Sequence, residues 1–395
     1  MARPQKILLA LTYYQPHISG LTIYAKRLAE ALAARGHSVR LLTSRYDSNL
    51  PAKESIGGVR IERSRVWLRL NKGVLMPGFI LSCCRACHEC DVVNLHLPQI
   101  EAALVAIYAR VIARKPVYTT YHCDLELPPG PVRILFSPLI KLSHLLTVLF
   151  STKVIANSED YVAASRFLRH FRSRIVFCYP PCASLPADPG QPPPVELREG
   201  ELLVGFVGRF AEEKGVQYVI RAIPKVLEVL PKAVFAFAGE QDVKGEQVYQ
   251  RLKPEIEALG ERVRLLGVLR EAELAAFYER CGVLLLPSVN STESFGMVQV
   301  EAMLSGTPVV ATDIPGVRVP VSATGMGELV APRDSEALAE AIVRVLSNPE
   351  SYVRPRSELE GMFGVERVAD YYEALFTQPG PVTAAVPGTD EVHSP

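Results

Sequence analysis

Two segments in the second half of the chain place cations, carboxylates and glycine at spacings that suit an anionic ligand. In the first, the apolar run Leu203–Val207 leads into Gly208 and Arg209, and Lys214 follows just before a helical pattern begins. An arginine can hold a phosphate through two parallel hydrogen bonds, a lysine adds a point charge, and a helix N-terminus offers free backbone N–H groups. This segment therefore predicts a phosphate site, with a solvated charged turn as the alternative.

The second segment carries two carboxylates around the start of another helical pattern. Glu293 and Glu301 follow the apolar run Val283–Pro287. A carboxylate accepts hydrogen bonds from two hydroxyls at once, which suits the vicinal diols of a sugar or a ribose, whereas the alternative is a solvated helix face. The glycine before this helix would let a ligand approach the backbone closely. A diphosphate would face the backbone amides at the start of the helix, those of Phe295, Gly296, Met297 and Val298.

These segments need a scaffold, and the hydrophobic pattern predicts two α/β domains. A chain of 395 residues exceeds the size at which single hydrophobic cores usually stop growing. A strand at Lys6–Leu11, a helix from Thr22 that stops at Gly36, and a strand at Val39–Leu42 form a βαβ unit. The fold class is therefore α/β, with two Rossmann-like doubly wound domains. Further strands are predicted at Val92–Leu95, Val117–Thr120, Val154–Ala156, Leu203–Val207, Val234–Ala238, Val263–Leu266 and Val283–Leu286.

A proline-rich segment divides the two halves. Seven prolines fall within the fifteen residues of Pro180–Pro194, a composition that suits a linker. We expect a first domain at 1–182, the linker at 183–200, and a second domain at 201–376 whose final helix packs back toward the first. Residues 377–395, rich in Pro, Gly, Thr and Ala, are predicted to be disordered. Ligands of open α/β sheets bind at the carboxyl ends of the strands, so we expect the active site in a cleft between the domains.

Composition narrows the class of protein. Apolar residues make up 48% of the chain, and 43 Lys and Arg balance 42 Asp and Glu, so the global charge does not indicate a nucleic-acid partner. The first apolar run is too short for a signal-peptide core, and no stretch of uncharged apolar residues reaches the length of roughly 18 residues that spans a membrane. Eight cysteines without a secretion signal are typical of reduced thiols. We expect a cytoplasmic enzyme without structural disulfides.

Both chemical segments resemble the donor-binding motifs of family 4 glycosyltransferases. The stretch Glu293-Ser-Phe-Gly-Met-Val-Gln-Val-Glu301 is similar to the two-glutamate motif of that family. Gly208-Arg209-Phe210 with Glu213-Lys214-Gly215, upstream of it, resembles the family's diphosphate motif. The resemblance extends over nearly the whole chain, since Gly20 stands at the family's glycine loop and His122 follows a strand as the family's active-site histidine does.

The resemblance implies the GT-B fold, a nucleoside-diphosphate sugar as donor, and a retaining hexosyl transfer. It also implies that the domain at 1–182 binds the acceptor and that the domain at 201–376 binds the nucleotide sugar. It implies His122 and Glu293 as catalytic residues on the transferred sugar, Arg209 and Lys214 on the diphosphate, and Glu301 on the ribose. Gly20 would close over the phosphates, and the backbone at Val268 would contact the nucleobase. Phe295, Gly296, Met297 and Val298 complete the implied donor site.

The chemistry fits these roles without a metal. Departure of a nucleoside diphosphate puts negative charge on its oxygens, so cations at the leaving group are the main catalytic need. The chain contains no Asp-x-Asp triplet that could hold a divalent ion, and Arg209 and Lys214 could take its place. We predict a metal-independent enzyme with no cofactor besides its donor substrate. The acceptor is a glycan, a glycolipid or a small molecule.

Two alternative functions fit this set of residues less well. A GT-B phosphorylase or epimerase would need a different acid, base or cofactor constellation. A non-catalytic sugar-nucleotide-binding or membrane-tethering protein would not need to retain the catalytic and donor-binding residues together. His122 could be an ordinary core histidine, but its neighbours Tyr121 and Asp124 and its place in the family motif favour a functional role.

Two further patterns have a structural and a functional interpretation. Cys83, Cys87 and Cys90 recur at helical spacing, so packing is favoured over metal binding. The apolar stretch Ile134–Phe150 is predicted to be a buried helix. With a basic aromatic patch formed by Arg65, Trp67, Arg69 and Lys72, it could instead dock the protein on the inner membrane face, beside a lipid-linked acceptor.

Overall fold

A computed structural model describes residues 3–70, 73–125, 131–186, 188, 190–243 and 247–377 of the chain. The described residues form two compact units. One contains the chain up to Pro181 together with the helix Val365–Thr377, and the other spans Cys182–Gly364. Most of the segment 183–200 is described, and it belongs to the second unit. The tail predicted to be disordered lies outside the described residues beyond Thr377.

The described strands of the first unit are β1 (Lys6–Ala10), β2 (Ser38–Arg45), β3 (Lys53–Ile56), β4 (Val59–Arg65), β5 (Leu68–Leu70), β6 (Gly73–Leu75), β7 (Val92–Leu97), β8 (Val117–Tyr121), β9 (Lys153–Ala156) and β10 (Ile175–Phe177). Eight of them form one sheet in the order β10-β9-β8-β7-β1-β2-β4-β3. All neighbours in this sheet are parallel except the β3–β4 pair, and β5 and β6 form a separate antiparallel hairpin.

Helices connect these strands. They are α1 (Gly20–Ala34), α2 (Pro77–Glu89), α3 (Ala102–Ile107), α4 (Pro131–Phe150) and α5 (Glu159–Ala164). Helix α1 begins with a capping box, in which the Ser19 hydroxyl accepts from the Thr22 backbone and the Thr22 side chain accepts from the Ser19 backbone. The sequence predicts a helix from Thr22, and the apolar residues that recur there at helical spacing, Ala25, Leu28, Ala29 and Leu32, are all buried.

The described strands of the second unit are β11 (Leu202–Val207), β12 (Ala233–Ala238), β13 (Val263–Gly267), β14 (Val283–Leu286), β15 (Val309–Thr312) and β16 (Gly327–Val330). They form one parallel sheet in the order β13-β12-β11-β14-β15-β16. Its helices are α6 (Val216–Val229), α7 (Val248–Leu259), α8 (Glu271–Arg280), α9 (Met297–Leu304), α10 (Arg318–Thr324), α11 (Ser335–Ser347) and α12 (Arg356–Phe363). Phe206, Phe210 and Phe237 pack together in its core.

The last helix, α13 (Val365–Thr377), is attached to the first unit by buried hydroxyls. The Tyr372 hydroxyl lies 2.8 Å from the Tyr24 hydroxyl of α1 and 2.8 Å from the Thr120 hydroxyl of β8. The Tyr118 hydroxyl donates to the Leu375 carbonyl at 2.6 Å. Arg35 adds surface ion pairs with Glu366, Asp370 and Glu373.

The prediction that Ile134–Phe150 is a buried helix is wrong in part. Helix α4 does bury Ser143, His144, Thr147 and Val148. Ile134, however, is 80% exposed, and Leu139, Leu142 and Leu149 are exposed as well. A nearly uniform apolar sequence cannot show which face of a helix its neighbours cover. No helix in the described part of the chain is long and apolar enough to cross a membrane.

The cysteine-rich helix α2 packs inward. Cys83, Cys87 and Cys90 are buried free thiols. Burial raises the pKa of the Cys87 thiol to about 12 and that of Cys90 to about 11. The described residues include no group of three or more His, Cys, Asp or Glu side chains arranged to hold a metal ion. These thiols therefore serve as small apolar packing groups.

Candidate active site

The second sheet has a switch point between its neighbouring strands β11 and β14. The chain leaves β11 toward α6 and β12 on one side, and leaves β14 toward α9 and β15 on the other. Open α/β sheets bind ligands in the crevice that forms at the carboxyl ends of such strands. The two chemical segments of the sequence follow β11 and β14, so both lie at this crevice.

The loop after β11 presents its two cations through a tight turn. Glu212–Lys214 form a single 3₁₀ turn that ends at Gly215, whose φ of 69° is left-handed. A Cβ at Gly215 would collide with the Pro287 carbonyl, so the loop fits against the end of β14 only with glycine. The Val289 backbone N–H also donates to the Glu213 carbonyl at 3.0 Å. The two loops are therefore tied together by backbone contacts.

Lys214 and Glu293 meet directly across the switch point. The Lys214 ammonium donates to Glu293 Oε2 at 2.6 Å, and both side chains are largely buried. Glu293 Oε1 accepts from the Gly296 backbone N–H at 3.1 Å. Lysine has three donor hydrogens, so Lys214 can keep Glu293 and still donate to a phosphate. The pair fixes the carboxylate and leaves cationic donors available.

Arg209 is the more accessible cation of the loop. Its side chain is 42% exposed and donates to Glu213 Oε1 at 3.3 Å. This long contact occupies one of the five guanidinium N–H groups. The remaining donors are available for an anion at the crevice.

Gly296 opens helix α9 in the left-handed conformation, with φ of 76°. A Cβ there would collide with the Leu286 side chain and would lie 3.0 Å from Gln299 Nε2. Packing therefore already requires the glycine that the sequence suggested for close ligand approach. Phe295 is buried against Phe363, while Met297 and Val298 are partly exposed at the first turn.

Glu301 lies in α9 and is almost fully buried. Its Oε2 accepts from the Tyr278 hydroxyl of α8 at 3.2 Å. Val268 follows β13 and is 60% exposed, next to the left-handed Gly267. Because β13 runs parallel to β12 and β11, Val268 lies at the same carboxyl edge of the sheet as the cation loop after β11.

In the first unit, His122 follows β8 directly and is 8% exposed. Its Nε2 lies 2.9 Å from Nδ1 of His96, which is at the end of the neighbouring strand β7. Burial lowers the pKa of His96 to about 3, and burial with the neighbouring His96 lowers the pKa of His122 well below its usual value. His122 is therefore neutral at physiological pH.

The loop after His122 is held by a hydroxyl cluster. Asp124 Oδ1 accepts from the Tyr121 hydroxyl at 2.8 Å and from the Ser165 hydroxyl at 3.0 Å. The Asp124 backbone N–H donates to the Tyr161 hydroxyl at 2.6 Å. Gly20 is the first residue of α1, immediately after the Ser19 cap, so it occupies a helix N-terminus rather than an open loop.

Two family models match successive parts of this chain. The model described as Glycosyltransferase Family 4 matches residues 18–181, and the model described as Glycosyl transferases group 1 matches residues 190–360. The chain belongs to the group 1 and family 4 glycosyltransferases. One match lies in each unit, and together the two matches include every predicted site residue.

Similar proteins agree with this assignment. A phosphatidyl-myo-inositol mannosyltransferase of Mycobacterium leprae is 27% identical to this glycosyltransferase, over 93% of this chain and 96% of its own. An uncharacterized glycosyltransferase of Methanocaldococcus jannaschii is 28% identical, over 87% of this chain and 89% of its own. The crystal structure of an Anabaena protein in complex with UDP matches with a TM-score of 0.73 at 22% identity, covering 94% of this chain and 99% of its own. The predicted GT-B fold is confirmed.

The structure of the glycosyltransferase brings together most of the predicted site residues of its second unit. Lys214 contacts Glu293, and Gly296 contacts Glu293 through its backbone N–H. Arg209 lies in the same loop as Lys214. Glu301 is held from the other side by Tyr278. His122 and Gly20 belong to the first unit, where His122 contacts His96 and Tyr24.

The sequence of this glycosyltransferase led to no predicted role for His96 or Tyr278, which contact the candidate site residues His122 and Glu301. A signal for His96 was present, because Asn94 and His96 are polar residues two apart in the otherwise apolar strand Val92–Leu97. Such residues share one face of a strand, and a buried polar face needs partners. Tyr278 gave no such signal, since a tyrosine on an amphipathic helix is an ordinary core residue.

Proposed function

We propose that this glycosyltransferase transfers a hexosyl group from a nucleoside-diphosphate sugar with retention of anomeric configuration. The observation that carries the proposal is the contact of Lys214 with Glu293 at the β11–β14 switch point, beside Arg209. A cation pair next to a fixed carboxylate suits a ligand that has both phosphates and sugar hydroxyls. A nucleotide sugar has both.

The cations would act on the leaving group. As the glycosidic bond breaks, negative charge grows on the diphosphate and positive charge grows on the sugar ring. Arg209 and Lys214 would stabilise the diphosphate, and Glu293 would bind sugar hydroxyls. Glu301, oriented by Tyr278, would bind the ribose diol, and the backbone near Val268 would contact the nucleobase.

We also propose roles for two residues of the first unit. His122 would hydrogen-bond the transferred sugar as a neutral imidazole. The backbone N–H groups at Gly20 would meet the phosphates at the N-terminus of α1, where the helix dipole favours negative charge. Retention would follow from front-face attack by the acceptor, without a strong covalent nucleophile.

The proposed reaction needs neither a divalent metal nor an organic cofactor. This part of the proposal is supported by the two cations, Arg209 and Lys214, in the loop where we propose that the diphosphate binds. A carboxylate pair spaced to hold a metal there is missing from the sequence, which contains no Asp-x-Asp triplet. Activity should therefore persist in a chelator.

A lipid-linked acceptor fits the exposed surface of the first unit. Ile134, Leu139 and Leu142 of α4 are exposed, and Trp67 is 74% exposed between the exposed Arg65 and Arg69. Apolar side chains with flanking cations bind anionic bilayers. The name of the M. leprae relative also specifies a phosphatidyl-myo-inositol acceptor. We infer peripheral contact with an anionic membrane surface.

Donor binding is tested first by a thermal-shift screen against UDP, GDP and ADP sugars, with and without chelator. A bound donor raises the melting temperature of the native protein. Lys214→Ala and Arg209→Ala should each weaken donor binding about tenfold to a hundredfold, because each removes a charge-assisted hydrogen bond. Lys225→Ala is the matched control, since Lys225 is a cation of the same unit that pairs with two exposed glutamates, Glu336 and Glu340. Equal effects of Lys214→Ala and Lys225→Ala would contradict the site.

Turnover and membrane contact need separate assays. Proton NMR of the product should show the anomeric configuration of the donor, and an inverted product would refute the retaining mechanism.

Membrane contact is tested by sedimentation with phosphatidylglycerol vesicles. Binding to these vesicles should be lost in the double variant Ile134→Glu with Leu142→Glu. It should persist in Val229→Glu, a control at an exposed valine of the second unit. Equal binding by both variants would refute contact through α4.

A further inference from the structure

His96 and His122 form a buried imidazole pair at the carboxyl end of the first sheet. His96 lies in β7 and His122 follows the adjacent parallel strand β8, with His96 in register with Thr120. The two ring nitrogens are 2.9 Å apart, and the ring planes differ by only 20°. This geometry is that of a hydrogen bond lying close to both ring planes.

The surroundings keep both rings neutral. His96 is fully buried, and Tyr24 of α1 packs edge-on against both imidazoles, with centroid distances of 6.1 Å to His96 and 4.8 Å to His122. The hydroxyls of Tyr24 and Tyr372 bond to each other beside the pair. Burial in this aromatic environment disfavours imidazolium, so each ring carries one proton. Because the facing nitrogens are 2.9 Å apart, one of them donates its N–H and the other accepts with its lone pair.

The direction of this hydrogen bond follows from the other nitrogen of His96. Nε2 of His96 is buried and has no hydrogen-bond partner among the described residues. If His122 donated, His96 would carry its proton on Nε2 as a buried, unpaired N–H group. Orphaned buried N–H groups are rarer in proteins than orphaned acceptors. The favoured arrangement has His96 Nδ1–H donating to the lone pair of His122 Nε2.

We propose that His96 is a positioning residue that holds His122 in its Nδ1-protonated tautomer, so that His122 offers an N–H donor to a hydroxyl oxygen of the transferred sugar. This inference rests on the proposed function. A neutral donor orients the sugar without placing a full positive charge beside a ring that itself becomes positive as the leaving group departs. His96 therefore determines that the His122 nitrogen offered to the substrate carries a proton while the His122 ring remains neutral.

The tautomer can be measured without turnover. In protein with ¹⁵N-labelled histidine, long-range proton–nitrogen correlation distinguishes a protonated ring nitrogen from an unprotonated one, and the loss of one signal set in His122→Gln assigns His122. The wild type should show protonated Nδ1 and unprotonated Nε2. His96→Leu should redistribute the proton toward Nε2, whereas His96→Asn keeps an N–H donor near the position of Nδ1 and should retain the wild-type pattern.

Kinetics provide the second readout. With the donor found by thermal shift, His96→Leu should lower kcat about tenfold, the value of one hydrogen bond, with a smaller change in donor KM. His96→Asn should recover most of this loss. Asn94→Leu is the matched control, because Asn94 is a buried polar residue of the same strand that bonds to Thr120 and Tyr118 and not to His122. It should destabilise the fold yet leave the His122 tautomer and kcat unchanged.

Each outcome decides a separate point. A wild-type His122 protonated on Nε2 overturns the proposal, and this spectrum suffices even if His96→Leu does not fold. An unchanged His122 pattern in His96→Leu also overturns it, as does equal loss of kcat in His96→Leu and Asn94→Leu. Failure of the wild type to transfer sugar from any donor would overturn the proposed function instead, because the tautomer readout does not depend on turnover.

Discussion

Acid should destabilise the first unit through histidines that are buried in their neutral form. His144 of α4 is 5% exposed and packs against Tyr121 and Phe167, with centroid distances of 6.0 Å and 6.3 Å. Its Nε2 has no hydrogen-bond partner among the described residues. Burial lowers the pKa of His144 to about 4 and that of His96 to about 3.

The sign and size of the effect follow from proton linkage. An unfolded histidine has a pKa of about 6.5, so below this pH the unfolded chain binds protons that the folded chain does not bind. The contribution of each buried neutral histidine to the free energy of unfolding is fully present above pH 6.5. It is lost as the pH falls toward the pKa of the folded state. One pKa unit corresponds to about 1.4 kcal/mol, so each histidine should lower the free energy of unfolding by about 2 kcal/mol at pH 5. His96 and His144 together should remove about 4 kcal/mol.

Urea titrations at pH 7, 6 and 5, followed by circular dichroism, measure this dependence. His144→Leu should reduce the difference in unfolding free energy between pH 7 and pH 5 by about 2 kcal/mol relative to the wild type. Thr147→Val is the control, because Thr147 is buried in the same helix and its hydroxyl donates to the Ser143 carbonyl without titrating. It should shift stability equally at every pH. The same pH dependence in His144→Leu and wild type would refute the reasoning.

Three further predictions concern single side chains. Gly215→Ala should lower the free energy of unfolding by about 2–4 kcal/mol through a backbone clash, whereas Gly306→Ala, also at positive φ but with open space around it, should cost about 1 kcal/mol in the same urea titration. Tyr278→Phe should weaken nucleotide binding by about tenfold in calorimetry because Glu301 loses the hydroxyl that orients it, and unchanged affinity would remove Tyr278 from the site. The Cys87 thiol, whose pKa burial raises to about 12, should react with an aromatic disulfide reagent at pH 8 only after urea unfolds the chain, and rapid labelling of the native protein would contradict its packing role.

The amino-acid sequence determined the elements and their order, because the signals for them are local. Alternation of short apolar runs with amphipathic helices predicts two parallel sheets, and the strands at Val92–Leu97 and Val283–Leu286 lie where that pattern predicts them. The sequence also placed Arg209, Lys214 and Glu293 in the segments that follow strands, and the carboxyl ends of parallel strands share one edge. The residue types of the proposed donor site could therefore be predicted before their geometry.

Only the tertiary structure decided which side chains meet and which remain exposed. Lys214 and Glu293 are 79 residues apart and His96 and His122 are 26 apart, so their contacts depend on sheet order and register rather than on local spacing. The exposed apolar side of α4 depends on which neighbours cover the helix, and a uniformly apolar stretch contains no signal for that. Local periodicity determines secondary structure, whereas burial and pairing arise from packing between segments distant in the chain.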